Sequence, residues 1–369
     1  MARSGDRNHT RTGPGHRRGH RRALAVAGAA AVVASLVAAT APSQAVVPGP
    51  TGRIVFESNR TGDPEIWVMN PDGSVPLNLT RAPKALDVYP AWSPDSSMIT
   101  FSSDRHERGN LDVYKMDAFG ANLVQLTDSP GEDRGTSWTS DGRKIVFHSA
   151  RDRDEFHTFD VWIMDADGSN QQKLFVNGSA AYVCGDSVTG KIVFNSNRDG
   201  NFEIYTMNVD GTGLFQVTTT KAPRLNSGPK WSPDCSTISY NRTDAGGSLD
   251  VLRVNADGTN IVNLTNAPGV FDAFSAWSPA GDRIVFSSNR DVNFEIYTMD
   301  ASDGGNVQRI TFTDFGEADL RSDWGTYPPY YGPPFDRVHC ADGVWAQFTV
   351  PTTFANQGKC VKYVEGRSR

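Results

Sequence analysis

The sequence predicts an all-β protein, a six-bladed β-propeller with four antiparallel strands per blade. Three observations predict it. A tryptophan marker, as in "AWSPD", recurs at Trp92, Trp138, Trp231, Trp277 and Trp324, with Cys184 midway in the one gap of double length. Successive markers are 46, 46, 47, 46 and 47 residues apart. Between them lie only short strand-like runs broken by glycine turns, and four such strands in a unit of about 40–45 residues is the pattern of a propeller blade.

The elements follow in order. A first strand ends in the marker and a turn. The second is an apolar run: "MITF" (98–101), "KIVF" (144–147 and 191–194), "TISY" (237–240) and "RIVF" (283–286). The third opens on an acid: "EIW" (65–67), "DVY" (112–114), "DVW" (160–162), "EIY" (203–205 and 295–297) and "DVL" (250–252). A turn then carries Gly73, Gly120, Gly168, Gly211, Gly258 or Gly304, because glycine takes positive φ freely. The fourth strand ends near Leu-Thr, Val-Thr or Ile-Thr. "RIVF" (53–56) is a second strand with no marker before it, and Trp324 is a marker with no second strand after it. The C-terminal strand is therefore expected to pair with the N-terminal blade, closing the ring without a free edge.

The ends are read separately. Residues 1–45 combine a basic stretch (17–22), an Ala-rich apolar run (23–40) and "SQA" (43–45), the composition of a secretory signal peptide. An uncleaved anchor is the competing reading, though the run is short for a span. Arg21-Arg22 leaves general and twin-arginine export both open. No other run is long enough to cross a membrane. Without those residues the chain carries 29 Lys and Arg against 41 Asp and Glu, a net of −12. That argues against nucleic acid as a partner and favours solubility; a monomer is expected. The propeller is assigned to 46–325, a Pro/Tyr-rich linker to 326–339 and a small tail to 340–369.

The units "YPAWSPDSSMITFSSDR" and "SAWSPAGDRIVFSSNRDVNFEIYTMD", with their copies, resemble the repeats of TolB-type six-bladed β-propellers over roughly residues 53–325. The resemblance implies a periplasmic or extracellular scaffold that binds other proteins through its faces. Members of the family carry a mixed α/β domain ahead of the propeller. The stretch between Ala45 and Arg53 has no room for it, so that domain's partners are not carried over. The tail resembles a small segment recurring in secreted bacterial proteins. A Cys340–Cys360 bridge is expected there, since so few residues cannot bury a core. Cys184 and Cys235, in neighbouring blades, are either bridged or two buried thiols.

A site for one ligand rarely needs six equivalent residues, so repeated residues are read first as scaffold. The tryptophans are expected to pack between blades. Arg60, Arg105, Arg151, Arg198 and Arg290 are expected to pair across the hairpin with Glu65, Asp112, Asp160, Glu203 and Glu295. Asp87, Asp133, Ser179, Asn226, Asp272 and Asp319 stand five residues before each marker. They would begin the innermost strands and form an oxygen-rich ring at the channel mouth, a candidate site for calcium or a cationic ligand. The plainer reading is that they cap turns. No cofactor is otherwise required. Specificity is expected where units differ, in the loops carrying His106, Phe156, His157 and Phe159, read as partner-binding. No nucleophile, zinc or nucleotide motif occurs. The sequence thus favours an exported, non-catalytic scaffold binding a protein or envelope macromolecule. A carbohydrate-active enzyme or a glycan binder using a metal or acidic site at the channel mouth is the alternative.

Overall fold

The computed structural model describes residues 52–152, 159–244 and 246–326. The leader, Phe156, His157, the linker from 327 onward and the tail with Cys340 and Cys360 lie outside the described residues. Among the described residues, 24 strands form six four-stranded antiparallel sheets, and there is no helix.

Blade 1 holds β1 (Arg53–Ser58), β2 (Glu65–Met69) and β3 (Leu77–Asn78). Blade 2 holds β4 (Asp87–Trp92), β5 (Met98–Glu107), β6 (Asn110–Asp117) and β7 (Val124–Gln125). Blade 3 holds β8 (Asp133–Trp138), β9 (Lys144–Ser149), β10 (Asp160–Asp165) and β11 (Gln172–Phe175). Blade 4 holds β12 (Ser179–Cys184), β13 (Lys191–Ser196), β14 (Glu203–Asn208) and β15 (Phe215–Gln216). Blade 5 holds β16 (Asn226–Trp231), β17 (Thr237–Thr243), β18 (Leu249–Asn255) and β19 (Val262–Asn263). Blade 6 holds β20 (Asp272–Trp277), β21 (Arg283–Asp291), β22 (Asn293–Asp300) and β23 (Gln308–Arg309). The last strand, β24 (Asp319–Gly325), returns to blade 1 and runs antiparallel to β1, with Trp324 opposite Ile54. The ring closes as the unmatched end units imply.

The second strands are continuously apolar because each sheet is covered on both faces by its neighbours, which removes the polar alternation of a half-exposed strand. Ile54, Val55 and Phe56 are all buried, as are Ile145, Val146 and Phe147. The core is correspondingly divided into clusters at the blade seams. Trp92 sits with Val55, Ile66 and Leu79 of blade 1, and Trp138 with Val113 and Leu126 of blade 2. Trp231, Trp277 and Trp324 each reach back to the preceding blade in the same way.

The glycine turns are required twice over. Gly73, Gly120, Gly168, Gly211, Gly258 and Gly304 all have φ between 76° and 92°. Each also presses on the end of the preceding blade's fourth strand. A Cβ at Gly304 would lie 2.0 Å from the Leu264 carbonyl oxygen, and one at Gly73 1.9 Å from that of Ile310. One residue type therefore serves both the turn and the close approach of neighbouring blades.

Blade 4 is the exception. Cys184 forms a disulfide with Cys235. The bridge does not stand in for the missing tryptophan, because it lies at the other seam. The tryptophans reach back to the previous blade, whereas Cys184 reaches forward to the turn after β16 in blade 5. The seam between blades 3 and 4 is filled instead by Phe175 and Phe194, whose ring centroids are 4.7 Å apart, with Val161 and Ala181.

Candidate functional site

The two repeated carboxylate sets resolve into two structural devices. Arg105 Nη2 donates to both oxygens of Asp87, at 2.8 Å each. Arg151 pairs with Asp133 at 2.6 Å, Arg290 with Asp272 at 2.9 Å, and Arg60 with Asp319. In all four blades the arginine Nε donates to the serine two residues earlier, at 2.9 Å. The guanidinium also lies over the aromatic rings of strands two and three, as Arg151 does over Phe147 and Trp162 at 5.5 and 4.5 Å. The expected pairing of these arginines with the acids of strand three is therefore wrong. The inner-strand aspartates take them because a fully buried carboxylate needs a charged, hydrogen-bonding partner.

The strand-three acids do something else. Glu203 accepts from Thr218 Oγ1 at 2.6 Å and from the Thr220 amide at 2.5 Å, while Thr218 Oγ1 accepts from the Ile204 amide at 2.9 Å. Glu295 with Thr311 and Thr313, and Asp250 with Thr265 and Ala267, repeat the pattern. This explains the recurring threonine after strand four: it fastens the exit of that strand to the start of strand three. Burial pushes Asp112, the same acid of blade 2, up to about 6.

The oxygen-lined channel mouth is consequently not formed as a common cation site. Asp87, Asp133, Asn226, Asp272 and Asp319 are fully buried, and the four carboxylates face arginines of their own blades. Ser179 and Asn226 stand in the two blades without such a pair; Asn226 Nδ2 donates to Glu203 at 2.8 Å. Among the described residues, no group of three or more His, Cys, Asp or Glu side chains is placed to hold a metal ion. His106 is exposed at the end of β5. Phe159, expected in a partner-binding loop, is instead buried against His148, ring centroids 5.1 Å apart.

What the inner strands do enclose is an axial cavity of about 220 Å³, lined from all six blades. A second cavity of about 400 Å³ lies at the tryptophan ends of the same strands. The first cavity owes its lining to a bulge near the start of each inner strand, where two residues face one on strand two. The bulge puts Tyr89, Gly135, Ala180, Gly228, Phe274 and Arg321 at positive φ. Bulges of this kind re-aim a side chain at the rim of closed sheets. Beneath them runs a ring of strand-two positions that is polar in every blade and differs between blades: Glu57, Ser102, His148, Asn195, Asn241 and Ser287. As a ring these positions were missed in the sequence, yet the signal was present. The residue after each "IVF"-like run interrupts an otherwise buried strand with a polar group.

His148 fits because Gly135 has no side chain; a Cβ there would lie 2.1 Å from His148 Cε1. Burial, with the nearby Arg134 charge, pushes His148 down to about 3. Its folded value lies below the unfolded one, so the unfolded chain takes up the proton first. The stability tied to this group is intact above about pH 6.5 and is lost as pH falls toward 3. Wild type should lose on the order of 1–2 kcal/mol through this residue between pH 6.5 and 5. His148→Asn, borrowing the residue of blades 4 and 5, should not. Urea unfolding of both proteins at pH 7 and pH 5 checks this; equal losses in the two proteins would remove His148 as the cause.

Residues 152–325 match the family model described as TolB beta propeller domain. An uncharacterized protein of Agrobacterium fabrum is 29% identical over 241 residues, 62% of this chain and 76% of the relative. The Tol-Pal system protein TolB of Francisella tularensis subsp. mediasiatica is 23% identical over 63% of this chain and 52% of its own length. The chain thus spans about half the length of the curated TolB relatives it matches. Among solved structures, TolB from Acinetobacter baumannii superposes with a TM-score of 0.61 at 17% identity, covering 75% of this chain and 67% of that one. By its repeat and its closed ring the chain is a six-bladed β-propeller, similar over residues 152–325 to the TolB beta propeller domain.

Proposed function

We propose that this chain is an exported, non-catalytic scaffold that binds a protein or envelope macromolecule through one face. That face carries the loops from strand two to strand three and the connections between blades. The observation that carries the reading is an apolar patch around blade 6. Phe315 is 90% exposed, Val292 76%, Phe312 75% and Phe271 43%. Hydrogen bonds hold these loops together: Asn293 Nδ2 donates to the Asp314 carbonyl at 2.7 Å, and the Phe271 amide to Asn289 Oδ1 at 2.9 Å. Large apolar side chains grouped on an otherwise polar surface mark an interaction site. The Cys184–Cys235 disulfide supports an extracytoplasmic setting, since such bonds persist in oxidising compartments. Among the described residues no helix is long and apolar enough to cross a membrane.

The test is capture from the organism's own secreted and envelope fraction with wild type and with Phe312→Ser/Phe315→Ser. A partner held by wild type should fall by about tenfold on the variant, the loss of two exposed aromatic anchors. Equal recovery on both would overturn the assignment of this face.

A further inference from the structure

The axial cavity has a pattern that the repeat does not explain. Going round the ring, blades 1, 3 and 5 contribute Arg321, Arg134 and Lys230, and blades 2, 4 and 6 contribute Tyr89, Tyr182 and Phe274. Cations and aromatic rings alternate. Arg321 lies over Tyr89 and Phe274 at 4.4 and 4.8 Å from their centroids, and Lys230 over Tyr182 at 3.7 Å. Arg134 lies over Phe159 at 4.1 Å and nearer the edge of contact with Tyr89 at 5.6 Å.

We propose that this cavity binds a small organic carboxylate with a planar ring, of the size of a single-ring aromatic acid. Four observations carry the proposal beyond the loop-face reading. First, no carboxylate is among the described residues lining the cavity, although the chain as a whole is acidic. The counter-ions Glu57, Glu132 and Asp323 pair with Arg321, Arg134 and Lys230 from outside that lining. Second, donors are left over. Arg134 Nε and Arg321 Nε are buried without a hydrogen-bond partner. Groups of this kind carry a penalty unless something satisfies them. Third, Tyr89, Phe274 and Arg321 hold left-handed backbone, φ 57°, 56° and 47°. Strain in non-glycine residues persists where the surroundings enforce it and gathers at ligand clamps.

The fourth observation is size. A cavity of about 150 Å³ holds one benzene, so about 220 Å³ holds one ring with a carboxylate. The division of labour follows from the chemistry of the two kinds of wall. Guanidinium forks match a carboxylate in plane. Aromatic faces stack on a planar body in offset or edge-on contact.

The experiment is calorimetric titration of the full-length chain with benzoate, benzamide, benzamidine and acetate. Benzoate should bind with a Kd of about 1 mM or lower, a modest demand for a ligand of this size. Benzamide and acetate should each be at least about tenfold weaker, one lacking the charge and the other the ring. Arg134→Gln should weaken benzoate by about tenfold with an unchanged melting temperature, because its one carboxylate partner, Glu132, is half-exposed. Arg321→Gln would strand Glu57, so it is made together with Glu57→Gln, and a similar loss is expected. No heat with benzoate, benzamide or benzamidine binding as well as benzoate, or unchanged affinity in Arg134→Gln would each overturn the proposal. None of these results touches the loop-face reading, which rests on Phe312 and Phe315.

Discussion

Asp87→Ala is expected to lower the unfolding free energy by about 3–5 kcal/mol, the usual cost of removing one partner from a buried ion pair. Asp87 is completely buried, and both of its oxygens accept from Arg105. Removing it leaves the guanidinium with its serine and two aromatic rings but no counter-charge. Arg105→Met should cost a comparable amount, since it leaves the carboxylate buried alone. The double replacement should cost clearly less than the sum, with a coupling of about 1–3 kcal/mol. Asp112 supplies the control. It opens strand three of the same hairpin, and it accepts from Thr127, Gln125 Nε2 and the Ser129 amide. Asp112→Ala combined with Arg105→Met should therefore be additive. Denaturant titration of wild type and the five variants decides the matter. Additivity for Asp87 with Arg105, or strong coupling for Asp112 with Arg105, would return the arginine to the hairpin.

The second large effect is expected from the disulfide. Cys184 and Cys235 are 51 residues apart in sequence. Opening a loop of that length restores chain entropy to the unfolded state worth about 4 kcal/mol in the loop-closure account. The effect should also be local. Blades 4 and 5 are the two without the aspartate–arginine pair, having Ser179 and Asn226 in its place. Blade 4 further lacks the seam tryptophan. Cys184→Ser/Cys235→Ser should thus lose amide protection first in β12, β13, β16 and β17, while β1, β21 and β24 hold theirs. Hydrogen exchange read by mass spectrometry, with wild type under reducing and non-reducing conditions alongside, shows which occurs. Uniform loss around the ring would mean that the bridge adds to global stability without guarding a weak seam.

The two predictions draw on different layers of legibility. The cysteines were visible as a departure from the repeat, but their bonding was not: two thiols in neighbouring blades satisfy the same pattern. The aspartates were visible as a repeated set, and their partners were misassigned. Asp112 is seven residues from Arg105 in sequence and Asp87 is 18 away, so sequence proximity favoured the wrong acid. The structure prefers the distant one because the inner strand brings Asp87 opposite Ser103, two residues before the arginine. For Arg60 the partner, Asp319, is 259 residues away and becomes adjacent only when the ring closes.

The sequence by itself determined the number of blades, the strand order within each, the seam tryptophans, the glycine turns and the closure by the last strand. These features recur because every blade makes the same backbone and seam contacts, and identical contacts leave an identical period. Only the tertiary structure decided the lining of the axis. There each blade supplies its own side chain, and the bulge sets which one points inward. The chosen residues fall at unequal distances from the marker: three before Trp324 for Arg321, four before Trp138 for Arg134, one before Trp231 for Lys230. A surface assembled from one residue per blade has no period to read, so its alternation of charge and ring emerges only when the six blades meet.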